Sequence, residues 1–352
     1  MLSSSFVIKS RAILLGFAIN SAAPLILAMT HENPLTSILS LLPMIALTMM
    51  VYYYLQIEWT KGGFYSYSKK ISTLLGKMQL YTWILSYFLY IIYTIDYIDF
   101  YILNLPNTIA DTLTIVLPIA ASILVFSGLV YFALIGTAVI QVLLSLPIMW
   151  RFSVNLKPEP FNSLFINILS SSILLACITL IAYIDGDKKY ANVVIYGFSI
   201  SAALLIIGDF FIPPRIILEL SSIGDFSLIL AEYTALRNLF DFIGITRSIS
   251  SYILPSSIVL LSVLSLLNYN IFYLSTIAPS DTALFISLFI PSILFSFYKK
   301  GIGYLLSIIN GGLMIYGIYS SITTFHGIYF YDSIIPPIIA VIIPLIEKKI
   351  RS

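Results

Sequence analysis

Apolar runs of membrane-spanning length recur along almost the whole chain and leave little sequence between them. A helix needs about 20 apolar residues to cross a hydrocarbon core. Twelve segments meet that need: Ala12–Thr30, Leu35–Ile57, Gln79–Leu103, Thr108–Ser127, Leu129–Met149, Phe161–Ile184, Ala191–Ile212, Ser222–Leu239, Ile249–Leu267, Ser280–Tyr298, Tyr304–Phe325 and Phe330–Ile346. The first follows Lys9 and Arg11 as a secretory signal would, but its apolar stretch is too long for a signal core and many spans follow it. The eighth is interrupted by Asp225 and Glu232. With 59% hydrophobic and only 10% charged residues and a mean hydropathy of +1.00, the expected fold class is an all-α polytopic membrane protein.

The basic residues test that count. With the N-terminus cytoplasmic, the inner side carries 15 of the lysines and arginines and the outer side only Arg151, Lys157 and Arg215. A bias of this size is the positive-inside pattern. Removing the eighth segment would invert everything after it and move Arg237, Arg247, Lys299, Lys300, Lys348, Lys349 and Arg351 outside. The expectation is therefore about 12 spans in the cell (plasma) membrane, with both termini cytoplasmic and the lipid bilayer as the first partner.

Several function classes drop out on composition. Cys177 is alone and inside an apolar run, and His31 and His326 lie far apart, so neither a disulfide framework nor a metal site is expected. No glycine-rich phosphate loop is present, and there is no room for a sizeable soluble domain, which speaks against nucleic-acid binding. Ser, Asp and His are scattered without the spacing of a nucleophile and its base, so no catalytic residues and no enzyme activity are expected. No resident cofactor is implied, and nothing points to an oligomeric state.

Between the second and third segments lies Glu58–Lys77, EWTKGGFYSYSKKISTLLGK. Gly62 and Gly63 suit a sharp exit from a helix. Phe64, Tyr67, Ile71, Leu74 and Met78 then recur at spacings of three and four, with Lys69, Lys70, Ser72, Thr73 and Lys77 mostly opposite. That pattern predicts either an amphipathic helix lying in the membrane interface or a plain basic loop.

Residues 43–90, which include this stretch, resemble the second and third helices of the amino acid–polyamine–organocation (APC) transporters. The features that carry the likeness are Glu58, Gly62, Gly63, Tyr65, Tyr67, Gly76 and Trp83. The resemblance implies the leucine-transporter-type fold, a 5+5 inverted repeat with two more helices. On this chain the first repeat would be residues 1–150, the second 151–299, and the two additional helices with a cytoplasmic tail 300–352. An odd number of helices per repeat turns the second upside down relative to the first. In that fold the first helix of each repeat is broken near mid-membrane, and the backbone exposed there holds substrate and ions.

The residues offer candidates for both breaks. In the first segment, Asn20-Ser21-Ala22-Ala23-Pro24 places a proline whose ring opposes the carbonyl of Asn20, giving either a substrate site at Asn20, Ser21 and Ala22 or an ordinary proline kink. In the sixth, Ser170, Ser171 and Ser172 either line a polar cavity or let helices approach closely. The family's glycines are missing from both places; only Gly16 is near the first, and Ile173 stands near the second. Asp225 and Glu232 are two helical turns apart and share a face, so they either bind the H+ or Na+ that drives transport or pair with Arg215 or Arg237. Asp96, Asp99, Asp111 and Asp209 are expected nearer the interfaces and solvated. Some relatives use a lysine in the fifth helix in place of sodium, and Leu129–Met149 has none.

Two function classes follow. The leading one is a secondary active transporter, a permease, that moves an amino acid or related amine by alternating access. The other is a non-transporting membrane component or degenerate transporter-like subunit of a membrane complex.

Overall fold

The computed structural model describes residues 10–155 and 160–351, so Lys9 and Lys157 of the charge count lie outside the described residues. In chain order the helices are α1 (Arg11–Ser21), α2 (Pro24–Ala28), α3 (Pro34–Ile57), α4 (Gly63–Ile71), α5 (Thr73–Asp96), α6 (Asn107–Ser127), α7 (Val130–Leu144), α8 (Phe161–Ile173), α9 (Val193–Gly208), α10 (Arg215–Leu220), α11 (Ser222–Phe242), α12 (Arg247–Ser265), α13 (Tyr269–Tyr298), α14 (Ile302–Thr324) and α15 (Ile328–Arg351). A π-helical segment, Tyr97–Ile102, extends α5, and a 3-10 segment, Leu174–Tyr183, extends α8. The only strands among the described residues are β1 (Arg151–Phe152) and β2 (Phe211–Ile212), paired antiparallel.

Among the described residues, nine of these helical stretches are long and apolar enough to cross a membrane. The chain is a multi-pass, all-α membrane protein. Each of the twelve segments read from the sequence lies on helix, and three of them fall outside the nine for separate reasons. The first is divided into α1 and α2, α7 is only 15 residues long, and α11 carries Asp225, Glu232, Arg237 and Asp241.

Local signals explain where the helices begin. Asn33 caps α3 by accepting from the Leu35 N–H at 3.0 Å, with Pro34 in the first turn where its missing N–H costs nothing. Thr246 and Asn268 cap α12 and α13 in the same way.

The chain forms two compact units. Unit one comprises residues up to Lys61 and Leu124–Ala235, and unit two comprises Gly62–Ile123 and Leu236 onward. In unit one, α9 packs along both α1 and α2, and α1 also meets α7 and the 3-10 segment. Part of its core is Leu25 and Ala28 of α2 against Trp150, Leu204 and Ile217. The Trp59 indole donates to the carbonyl of Ile181 at 3.1 Å, and its ring lies where a side chain on Gly186 would have to go. In unit two, α13 packs on α5, α14 and α15.

Glu58–Lys77 departs from the single amphipathic helix drawn from its spacing. The chain leaves helical geometry at Ser72 (φ −151°, ψ 123°), whose side chain caps α5 instead. Before that point, Phe64 to Ser68 are buried within unit two, and the Tyr67 carbonyl accepts from Tyr298 at 2.6 Å. Ile71, counted on the apolar face, is exposed. Two glycines explain the fold-back. Gly63 takes φ +49°, a left-handed angle that other residues resist. Gly76 lies so close to the backbone of Lys69 that a Cβ would come within 2.7 Å of it.

Candidate functional site

The first apolar segment is interrupted where the proline predicted. α1 ends at Ser21, Ala23 adopts a left-handed conformation (φ 44°, ψ 59°), and α2 restarts at Pro24. A non-glycine residue in that region stores about 1–2 kcal/mol of strain, so the surroundings must hold it. The turn itself supplies one tie, since the Ala23 N–H donates to the Asn20 carbonyl at 3.2 Å. The carbonyl opposed by the proline ring is thus satisfied within the turn.

Unit one clamps the interruption from two sides. Asn20 is fully buried and uses its whole amide: Nδ2 donates to the carbonyls of Gly16 (2.8 Å) and Leu134 (2.6 Å), while Oδ1 accepts from Thr137 (3.1 Å) and Gln141 (2.7 Å) on α7. Gln141 Nε2 also donates to Ser227 on α11 at 2.8 Å. On another side α9 runs unbroken past the gap. A Cβ on Gly197 would lie 3.0 Å from Ala18, and one on Gly208 only 2.0 Å from the Ala28 carbonyl oxygen, so both halves of the broken helix abut α9 at glycines. Ser201 lies between those glycines on the same face, and its buried hydroxyl has no partner. Gln141 Oε1, beside Gly224, is likewise buried and unpartnered.

The sixth segment also changes geometry in mid-course. α8 ends at Ile173 and continues as ten residues of 3-10 helix, although such runs rarely exceed three or four residues. The serine triplet immediately precedes the change. Ser171 and Ser172 sit 2.9 Å and 2.6 Å from the carbonyls four residues earlier, a back-bonding that loosens the α pattern. Ser171 also donates to the Glu32 carboxylate, and Ser172 reaches the Ser40 carbonyl of α3 at 3.2 Å; Ser170 is half-buried.

The sequence singled out Asn20, Ser21, Ala22, Ser170, Ser171 and Ser172 as substrate contacts. The structure puts Asn20, Ser21 and Ala22 in the interior, with Ser21 Oγ donating to the Phe17 carbonyl at 2.9 Å. Ser171 and Ser172 meet α3 and the Glu32 loop. The groups left uncommitted near the first break are others, the Ser201 hydroxyl and Gln141 Oε1.

Asp225 and Glu232 are both buried on α11. Neither carboxylate oxygen of Glu232 finds a hydrogen-bond partner. Arg215, one of the two partners weighed for this pair, is engaged with Glu219 at 2.9 Å. A buried carboxylate whose oxygens accept no hydrogen bond calls for a proton or a cation.

The expectation that Asp96, Asp99 and Asp209 are solvated is wrong: all three are fully buried. Asp96 and Asp99 turn inward at the end of α5, and Asp209 Oδ1 accepts from the Glu32 N–H at 3.0 Å. Asp111 is half-buried. Asp281 falls at the start of the tenth segment as read from the sequence. The helix actually begins at Tyr269, which puts Asp281 well inside α13 in hydrogen-bond contact with Tyr93.

No family model matches the chain, and no curated protein is significantly similar to it.

Proposed function

We propose that this protein is a secondary active transporter of an amino acid or related amine, working by alternating access with a 5+5 inverted repeat of APC type and two further spans. The observation that carries the reading is the paired loss of α geometry. It falls at Ala22–Ala23 in the first segment and at Leu174 in the sixth, the first members of the two five-segment halves, and α1 packs against the 3-10 segment. Discontinuous helices of this kind are how transporters present backbone groups to a substrate in lipid. Unit one holds the first two segments of each half, together with α7 and most of α11.

In this reading the substrate contacts the backbone of Ala22 and Ala23, with Ser201 and Gln141 as polar neighbours. Glu232 carries the coupling H+ or Na+. The charge bias supports a cell-membrane protein with cytoplasmic termini.

A competing reading is a non-transporting component of a membrane complex. It draws on Asn20, whose amide is wholly taken up by protein groups. Proteoliposomes separate the two. Uptake of a labelled amino acid and amine panel is measured under a sodium and under a proton gradient, for the native protein and for Glu232→Gln. The transporter reading expects gradient-driven uptake that Glu232→Gln uncouples. No uptake of any panel member under either gradient refutes it and leaves the competing reading.

A further inference from the structure

Unit two holds a buried pair of acids that the transport reading does not use. Asp96 closes α5, and Asp99 follows one turn later within the π-helical Tyr97–Ile102. Asp96 Oδ1 accepts from the Ser265 hydroxyl at 2.8 Å, and Asp99 Oδ2 accepts from Thr114 at 3.0 Å. The second oxygen of each, Asp96 Oδ2 and Asp99 Oδ1, has no partner, and both residues are fully buried. On α12, Ser262 stands one turn before Ser265 on the same face, fully buried, and its hydroxyl is unpartnered too.

No base balances these acids from their own surroundings in sequence. From Met78 to Trp150 and from Ser248 to Tyr298, the stretches that supply every residue of the cluster, there is no Lys, Arg or His. Two neighbouring carboxylates in a low-dielectric site must be neutralised. Neither Asp96 Oδ2 nor Asp99 Oδ1 accepts a hydrogen bond, so no protein donor offsets the charge on either oxygen. A metal ion ligated by the two unpaired oxygens would neutralise both acids together. Ser265 and Thr114 can join them. Each hydroxyl also lies within 3.0 Å of a carbonyl of its own helix, Ser262 and Ala110, so it can turn its proton there and offer a lone pair instead.

We propose that Asp96, Asp99, Thr114, Ser262 and Ser265 form a binding site for a hard metal cation. The donors are all oxygen, which suits Na+ or Ca2+ and disfavours zinc or copper. The site stands on unit two alone and does not depend on the transporter reading.

The test uses the full chain purified in detergent. Thermal unfolding is followed at constant ionic strength in N-methylglucamine, with Na+ substituted in one arm and Ca2+ titrated against a chelator in the other. One cation should raise the unfolding midpoint saturably, because it binds the folded state. The corresponding radiolabelled ion should bind in equilibrium dialysis. Asp96→Asn with Asp99→Asn should abolish both effects, and Asp332→Asn, on α15, which supplies no residue of the cluster, should leave both intact. Should the double variant fail to fold, Ser262→Ala keeps both carboxylates and should weaken the apparent affinity several-fold. Absence of any cation effect in the native protein overturns the proposal. So does an effect that persists in the double variant or in Ser262→Ala at native affinity, or one that Asp332→Asn removes as well.

Discussion

Asn20 and Gln141 should behave as one energetic unit, and a double-mutant cycle measures how strongly. In Asn20→Ala, most former partners have somewhere to go. Thr137 Oγ1 already sits 2.9 Å from the Ala133 carbonyl, and the Gly16 and Leu134 carbonyls lie within helices. The group left stranded is one N–H of Gln141 Nε2, whose other bond to Ser227 remains. Burying one such donor costs about 1–3 kcal/mol, and the space left by the amide adds roughly 1 kcal/mol. The single variant should therefore lose about 2–4 kcal/mol. Gln141→Leu should cost less. It removes an amide whose Oε1 is unsatisfied in the native protein, and Ser227 falls back on the Gly224 carbonyl at 2.7 Å. In the Gln141→Leu background the stranded donor no longer exists, so Asn20→Ala should become milder by about 1–2 kcal/mol. Reversible denaturant unfolding of the four proteins in detergent supplies the cycle. Additivity within about 0.5 kcal/mol would show that the two side chains do not share this network.

Two further predictions follow from contact and charge. Gly208→Ala would set a methyl 2.0 Å from the Ala28 carbonyl oxygen, so the yield of monodisperse protein in size-exclusion chromatography should collapse, whereas Gly136→Ala, with nothing within 4 Å, should leave it unchanged. Asp185, in the loop after the sixth segment, has its pKa raised by burial, with Lys61 opposing the shift. A raised folded value means that Asp185 costs nothing below the unfolded value of 3.8 and destabilises increasingly as pH rises above it. Asp185→Asn should thus gain stability relative to the native protein on going from acid to neutral pH in thermal scans, and a pH-independent difference would refute this.

How much of this fold could be read in the sequence depended on the kind of signal. Hydropathy acts over a whole helix, so α3 and α14 announce themselves, and charge placement kept α11 despite its acids. Proline at position 24 marked the interruption in the first segment because it acts through its own backbone. The behaviour of Ser72 was different. Phe64 to Met78 has an unbroken helical period, but a serine that caps the next helix and a glycine at 76 that admits the Lys69 backbone are tertiary choices. Periodicity cannot carry them.

The site was legible in position and illegible in detail, for a physical reason. Where a helix must break is written locally, in Pro24 and in serines that compete for the backbone at 170–172. Which side chains remain unsatisfied around a break depends on what approaches from elsewhere. Asn20 looked available as a polar residue at the right depth, yet α7 delivers Thr137, Gln141 and the Leu134 carbonyl to it and consumes it. In the sequence Ser201 is one small residue of an apolar helix. It is left unpartnered because Gly197 and Gly208, on either side of it, draw α9 against both halves of the broken helix. The same logic separates the acids. Asp96 and Asp99 lie near a helix end, where sequence expects water, but Ser265 and Thr114 meet them from α12 and α6 and close them in. In lipid, a polar group matters by what it fails to find, and that is a property of neighbours rather than of the residue.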